Sequence, residues 1–201
     1  MVVRDILELP NGRRKIITEE GQTFCLYKGE LSRLKLKVNE EINPDEYNKI
    51  MTEILPKRAK LRGLNLLTKR PYTEYQLRQK YIDGGYPESV IEEAINYIKE
   101  MNCLDDHLYC VTYISYRSNS KSKRQIFNDL KQKGVAQDII ESAYMEVFQN
   151  GDLTAETEVI EKLLRKRHYD AREATYEEKQ KTMNYLYNKG FSMDAIRACV
   201  D

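Results

Sequence analysis

After Pro87 the sequence has no proline, and its remaining 114 residues hold only three glycines. Proline deletes a backbone donor and glycine loosens the chain, so a stretch with none of the first and little of the second suits almost continuous helix. Histidine is nearly absent, with only His107 and His168, and there is neither a glycine-rich phosphate loop nor a nucleophile elbow. Nothing assembles an active site or a nucleotide pocket, so a catalytic chain and a bound cofactor are not expected. Four cysteines, Cys25, Cys103, Cys110 and Cys199, lack CxxC spacing and read as free thiols of a reducing compartment. No window approaches the roughly 20 apolar residues of a membrane span. Met1 to Leu9 carries Arg4, Asp5 and Glu8 where a secretory signal would be apolar, so a cytoplasmic chain is expected. Charge of one sign is missing too: 33 Lys+Arg face 32 Asp+Glu, net +1, which excludes a uniformly basic nucleic-acid coat. With 41% hydrophobic residues there is still enough apolar material for packed cores.

The first 40 residues are of another kind. Val2 to Leu9, Arg14 to Thr18 and Thr23 to Tyr27 are short segments separated by Asn11-Gly12 and Glu19-Glu20-Gly21-Gln22, which predicts a three-stranded β-meander. Asn43-Pro44-Asp45-Glu46 combines an N-cap, a proline at the first helical position and a capping-box glutamate, so a helix is expected from Pro44.

An internal repeat organises the rest. Aligned on Gly85, Gly134 and Gly190, three copies share apolar residues before the glycine (Leu77 and Tyr81; Ile126 and Leu130; Leu186) and a stripe after it. That stripe is Val90, Ile91, Ala94, Ile95 and Ile98, then Ile139, Ile140, Ala143, Tyr144 and Val147, then Ala195, Ile196, Cys199 and Val200. The spacing is one buried face of a helix. Thr73…Gln76, Ser122…Gln125 and Thr175…Glu178 fit the capping box, in which two side chains satisfy unpaired first-turn amides. The third cap stands three residues further from its glycine, which predicts a middle helix about one turn longer. Further helices are expected upstream, over about Lys57–Thr68, Asp106–Arg117 and Ala155–Arg167. The fold class is therefore mainly α: three tandem three-helix repeats, residues 56–101, 102–150 and 151–201, forming an elongated curved molecule behind an N-terminal segment, residues 1–55.

Hidden behind the near-zero total, charge is segregated. Pro56 to Lys80 holds eight bases and one acid, Thr112 to Lys133 six and one, and Lys162 to Lys189 eight and four. Ile82 to Asp106 holds seven acids and one base, and Gly134 to Glu161 seven acids and no base. Cations thus gather on the first and middle helix of each repeat, where they suit phosphates or an acidic protein surface. The contact candidates are Lys69, Arg70, Arg78, Arg117, Lys121, Lys123, Arg124, Lys131, Arg165, Lys166, Arg167 and Arg172. Arg124 and Lys131, seven residues apart on one flank, would grip phosphates or a carboxylate together. The plainer account is a solvated helix face with cations drawn to helix C-termini. Tyr72, Tyr75, Tyr113, Tyr116 and Tyr169 lie among these clusters, either to stack on unpaired bases or to fill small cores.

Cys103, His107 and Cys110 share helical spacing, but no fourth ligand is evident and Asp105 is better placed to start the helix, so no metal is expected.

The order of these motifs resembles the RecX family, bacterial regulators of the RecA recombinase. Cys103-Leu104-Asp105-Asp106-His107-Leu108-Tyr109-Cys110 is similar to the family's Leu-Asp-Asp-x-x-Tyr-Ala signature, followed by Tyr113-Ile114, Arg117, the basic Lys121 to Arg124 and Lys133-Gly134-Val135. Thr73 to Lys80 resembles the family's first middle helix and Asn188 to Ser192 its last, so that the likeness covers about residues 56 to 201. Cys110 departs from the usual alanine, Gly84 from a usual lysine, and Gly63 from a common alanine, the last at some expected cost in helix stability. The resemblance implies a non-enzymatic monomer of DNA repair, recombination and the SOS response. It would bind the RecA filament on single-stranded DNA, lie along its groove, and restrain ATP hydrolysis and strand exchange. The competing reading from the residues is a helical-repeat scaffold that binds proteins and never meets nucleic acid, with a sequence-specific duplex binder behind it.

Overall fold

The computed structural model describes residues 1–148 and 152–200, and the side chains of all of these except residues 152–155. The expected junction between repeats at residues 150 and 151 lies outside the described residues. Two compact units divide the chain, Met1–Asp105 and Asp106–Asp201.

The first unit opens on the expected meander: β1 (Val3–Leu9), β2 (Arg13–Thr18) and β3 (Thr23–Tyr27) pair antiparallel in the order β1-β2-β3. Its first connector puts Asn11 at φ 63 and Gly12 at φ 71, the paired left-handed conformations that let a tight turn follow the sheet's twist. A short helix α1 (Lys28–Arg33) follows, then α2 (Pro44–Lys49), whose N-cap Asn43 accepts the Asp45 amide at 2.9 Å. Instead of ending, α2 runs on through a π-helical stretch, Ile50–Ile54, into α3 (Leu55–Leu67). Pro56 accounts for the irregular turn. It has no N–H to offer the Thr52 carbonyl, and its ring crowds that group, so the ladder widens rather than breaks.

α4 (Glu74–Ile82) and α5 (Glu88–Glu100) complete the first repeat. Its core is continuous with the sheet: Ile16, Phe24 and Leu26 pack in one cluster with Leu55, Leu77, Tyr81, Ile91, Ile95 and Ile98, all at most 1% exposed. Each such side chain contributes roughly 1.5–3 kcal/mol by leaving water. The glycine turn after α4 is the point of closest approach. Gly85 is at φ 73, its carbonyl accepts the Cys25 amide at 3.1 Å, and a Cβ there would stand 2.2 Å from the Cys25 sulfur.

The second unit holds two repeats. α6 (Asp106–Arg117), α7 (Lys123–Gln132) and α8 (Gln137–Val147) enclose Cys110, Ile114, Ile126, Leu130, Ile140 and Ala143. α9 (Asp152–Lys166), α10 (Tyr176–Asn188) and α11 (Met193–Val200) enclose Val159, Ile160, Leu186, Phe191, Ala195 and Ile196. The three middle helices start as their sequences dictate. Thr73, Ser122 and Thr175 each accept the amide three residues on, while Gln76, Gln125 and Glu178 reach back to the cap's own amide. All three end on a left-handed glycine, and α10, at 13 residues against 9 and 10, is longer by about one turn.

Candidate functional site

Helix geometry determines which cations a repeat can offer, because residues three and four apart share a face and acids on that face neutralise bases. In the first repeat Arg78 is fully engaged. Its guanidinium grips Glu92 with two bonds of 2.8 and 2.9 Å, donates to Glu74 at 2.8 Å and meets Glu88 at 3.2 Å. Its hydrogen bonds to Glu92 above all, then to Glu74, hold it charged well beyond the ordinary arginine range. Arg78 therefore ties α4 to α5 and presents no unpaired cation, a destination that required knowing which acids α5 would bring alongside. Lys60 is likewise taken by Glu93 at 2.7 Å. Lys69 and Arg70 remain exposed just beyond α3. Arg70 lies 4.0 Å from the centre of the Tyr72 ring, and Lys69 makes no ion pair among the described residues.

In the second repeat Arg117 ends α6 between two rings, 5.8 Å from Tyr113 and 5.2 Å from Tyr116. Tyr116 is 74% exposed and Tyr75 48%, whereas Tyr72 is buried and Tyr113 and Tyr169 half-buried, so of the five tyrosines Tyr116 and Tyr75 are the ones open to stacking. Lys121 pairs with Asp129, which also accepts the Tyr113 hydroxyl at 2.7 Å. Lys123 stands 4.4 Å over the Tyr144 ring. Arg124 and Lys131 do not act as the joint grip that their spacing suggested. Arg124, exposed and without an ion pair among the described residues, is spent on the Tyr187 and Asn188 carbonyls of α10 at 3.0 and 2.9 Å, whereas Lys131 projects to solvent with neither such a bond nor an ion pair among them.

Of the third repeat's cations, Arg165 pairs with Glu161 at 3.3 Å and Arg167 stacks 4.0 Å over Tyr185. Lys166 and Arg172 are exposed and unpaired among the described residues. A hollow of about 440 Å³ beside them is lined by Arg167 and Lys181, but also by Asp170, Glu173 and Glu178, so its charges nearly cancel. Of the twelve contact candidates, those left exposed without an ion pair, side-chain hydrogen bond or ring contact among the described residues are thus Lys69, Lys131, Lys166 and Arg172. Arg70, Arg117, Lys123 and Arg167 stand beside them, set against aromatic faces that orient them without neutralising them. Among the described residues no group of three His, Cys, Asp or Glu is placed to hold a metal ion, and no helix is long and apolar enough to cross a membrane.

The polar group that sequence reasoning missed is Glu156, 8% exposed on α9. Its carboxylate accepts the Lys123 amide at 3.3 Å, and the Ser192 amide and hydroxyl at 3.0 and 2.7 Å. The signal was present, since Glu156 stands in register with Val159, Ile160 and Leu163 on the inward face of its helix, where a carboxylate needs donors.

Two carboxylates stabilised by these networks make the fold acid-sensitive. Burial raises the Glu74 carboxyl, but hydrogen bonds from Lys99 and Arg78 outweigh it and hold the group below its ordinary range. At Asp129 burial is likewise outweighed by Lys121 and Tyr113. A lowered folded value means stability that is present above the ordinary carboxylate range, roughly pH 4, and lost as pH falls through the values beneath it. Thermal melts should therefore fall steeply below about pH 4, and Glu74→Gln with Asp129→Asn should flatten that slope.

Three family models match this geometry in order. The first three-helix domain of RecX matches residues 59–97, the second residues 105–143 and the third residues 155–200. The regulatory protein RecX of Finegoldia magna is 31% identical over 188 residues, covering 90% of this chain and 89% of that protein. That of Caldanaerobacter subterraneus subsp. tengcongensis is 29% identical over 185 residues, covering 92% and 86%. Among solved structures, a crystal structure of regulatory protein RecX superposes with TM-score 0.64 at 22% identity over 98% of both chains. RecX from Lactobacillus salivarius gives 0.62 at 22% identity over 73% of this chain and 95% of that one. With three matched domains in series, together spanning more than half of its residues, the chain belongs to the RecX family of regulatory proteins.

Proposed function

We propose that this RecX-family chain regulates the RecA recombinase without catalysing a reaction itself. As a cytoplasmic monomer needing neither cofactor nor membrane, it binds the RecA filament on single-stranded DNA and restrains ATP hydrolysis and strand exchange. The observation that carries the reading is the residue-level sorting of charge. Acids on neighbouring helices absorb cations such as Arg78 and Lys121, yet Lys69, Lys131, Lys166 and Arg172 stay exposed and unpaired among the described residues. Cations left unneutralised at the ends of helices are what a polyanionic filament recruits.

Substoichiometric protein is expected to lower DNA-dependent ATP hydrolysis by RecA, and unchanged turnover over a wide titration would refute the proposal. Lys131→Glu with Arg172→Glu should weaken filament binding while leaving the thermal melt in place. Each phosphate contact removed should also reduce the slope of log affinity against log salt by roughly 0.7–0.9. A protein-only scaffold predicts instead no salt-dependent retention on single-stranded DNA.

A further inference from the structure

Ser122, Arg124, Glu156 and Ser192 belong to two different repeats, yet they converge on one junction, the two serines and the arginine from helix starts and Glu156 from the second turn of α9. The Ser122 hydroxyl has two tasks. It accepts the Gln125 amide at 3.3 Å to cap α7, and it donates to the Lys189 carbonyl at 2.8 Å, just beyond α10. Arg124 is the second residue of α7 and spreads one nitrogen over the Tyr187 and Asn188 carbonyls, at 3.0 and 2.9 Å. Both lie at the negative end of the helix dipole, where the Tyr187 carbonyl also accepts the Gly190 amide at 2.8 Å and the Asn188 carbonyl is one of the terminal acceptors that a helix leaves without internal partners. Glu156 supplies the opposite charge at two positive ends, the Lys123 amide that begins α7 and the Ser192 amide and hydroxyl just before α11. Gly190 makes the approach possible. It stands at φ 92, and a Cβ would come within 2.6 Å of the Arg124 Nε and 3.0 Å of the Ser122 hydroxyl.

We infer that this junction locks the second and third repeats into one rigid block, and that Arg124 and Glu156 are positioning residues, not contacts for the partner. What they position are the exposed cations of the third repeat, Lys166 and Arg172, with respect to Lys131. The lock stands on geometry alone; only its effect on binding rests on the filament reading.

Lysine cannot replace arginine here. Both bonds come from one terminal nitrogen, Nη2, which stands one atom further along the side chain than a lysine ammonium reaches, and the planar group holds it there with its Nε flank against Gly190. Arg124→Lys therefore keeps the charge and loses the lock, which separates a positioning role from a phosphate contact.

The test is a distance measurement on the full chain, with nitroxides at Met145→Cys on α8 and Tyr176→Cys on α10, both highly exposed positions. Cys103→Ser and Cys199→Ser clear the accessible thiols, and Cys25 and Cys110 are buried. Electron–electron resonance should give one narrow distance peak. Arg124→Lys and Glu156→Gln should each broaden it about twofold or more, as the population spreads over several arrangements, with the helical circular dichroism unchanged. Peaks as narrow as the parent's in both variants overturn the lock. So does loss of helical signal in either, because the bonds would then hold a repeat together internally and not one repeat to another.

A second arm measures filament affinity. If the competent arrangement falls to about a fifth of the population, Arg124→Lys should bind about fivefold more weakly with an unchanged salt slope. A slope reduced by about one would make Arg124 a phosphate contact and overturn its positioning role. A parent chain that fails to bind the filament sinks the function proposed above and leaves the peak widths to decide the lock.

Discussion

Gly63→Ala should lower the unfolding free energy of the first unit by about 1–3 kcal/mol, the usual cost of overpacking a filled core. Helix propensity alone points the other way, since alanine is better than glycine within a helix by about 1 kcal/mol. Packing wins because of what surrounds the position. A Cβ on Gly63 would lie 2.1 Å from the Tyr81 hydroxyl and 2.4 Å from a methyl of Ile98. Neither neighbour can retreat: both are fully buried, and the Tyr81 hydroxyl donates to the Ala59 carbonyl one turn back along α3 at 2.9 Å. Burial, with Tyr86 adding to it, also pushes the Tyr81 phenol far above its ordinary range, so it stays a neutral donor. Urea unfolding checks the loss. Tyr81→Phe, which removes the obstructing oxygen, should be less damaging in the Gly63→Ala background than alone, and additive effects would show that the two residues do not compete for space.

Arg58→Met should cost about 2–4 kcal/mol, because it strands partners that lie out of water. Arg58 gives one nitrogen to Glu30 of α1 at 2.7 Å, a second to the Cys25 carbonyl of β3, and its Nε to the Tyr86 hydroxyl at 3.2 Å. Its guanidinium also lies 5.0 Å from the Tyr27 ring and 5.3 Å from that of Tyr86. The Arg58 and Glu30 side chains are only 18% and 17% exposed, so solvent screens this pair far less than a surface one. Methionine preserves the apolar stem and removes only the donors. A loss under about 0.5 kcal/mol in denaturant unfolding would place the pair with ordinary surface ion pairs.

The repeats were legible because their signals are local. A cap and its partner lie three residues apart, the terminating glycine follows at a helix length, and the apolar stripes repeat at helical spacing. What sequence could not show depends on residues brought together from afar. α1 spans six residues, too short to be stable alone, and leans on an ion pair to Arg58, 28 positions away. Pro56 reads as a boundary, yet a widened turn carries the helix past it. Gly63 reads as a weak spot in α3 until Tyr81 and Ile98 are placed against it. The candidate surface was legible by segment and not by residue. Local composition located the basic stretches, but Arg78 and Arg124 found their partners on α5 and α10, elements whose placement no spacing rule predicts.

The seam between strand and helix bundle at Gly85 has a practical corollary for anyone shortening the protein. Because the meander and the opening repeat fill a single interior, cutting the chain at Pro56 would not liberate a tidy three-module core. It would strip Ile16, Phe24 and Leu26 from their packing and leave a greasy scar on the remaining helices, ready to seek another surface. The amino-terminal strands are thus better regarded as the lid of the first module than as an appendage to it.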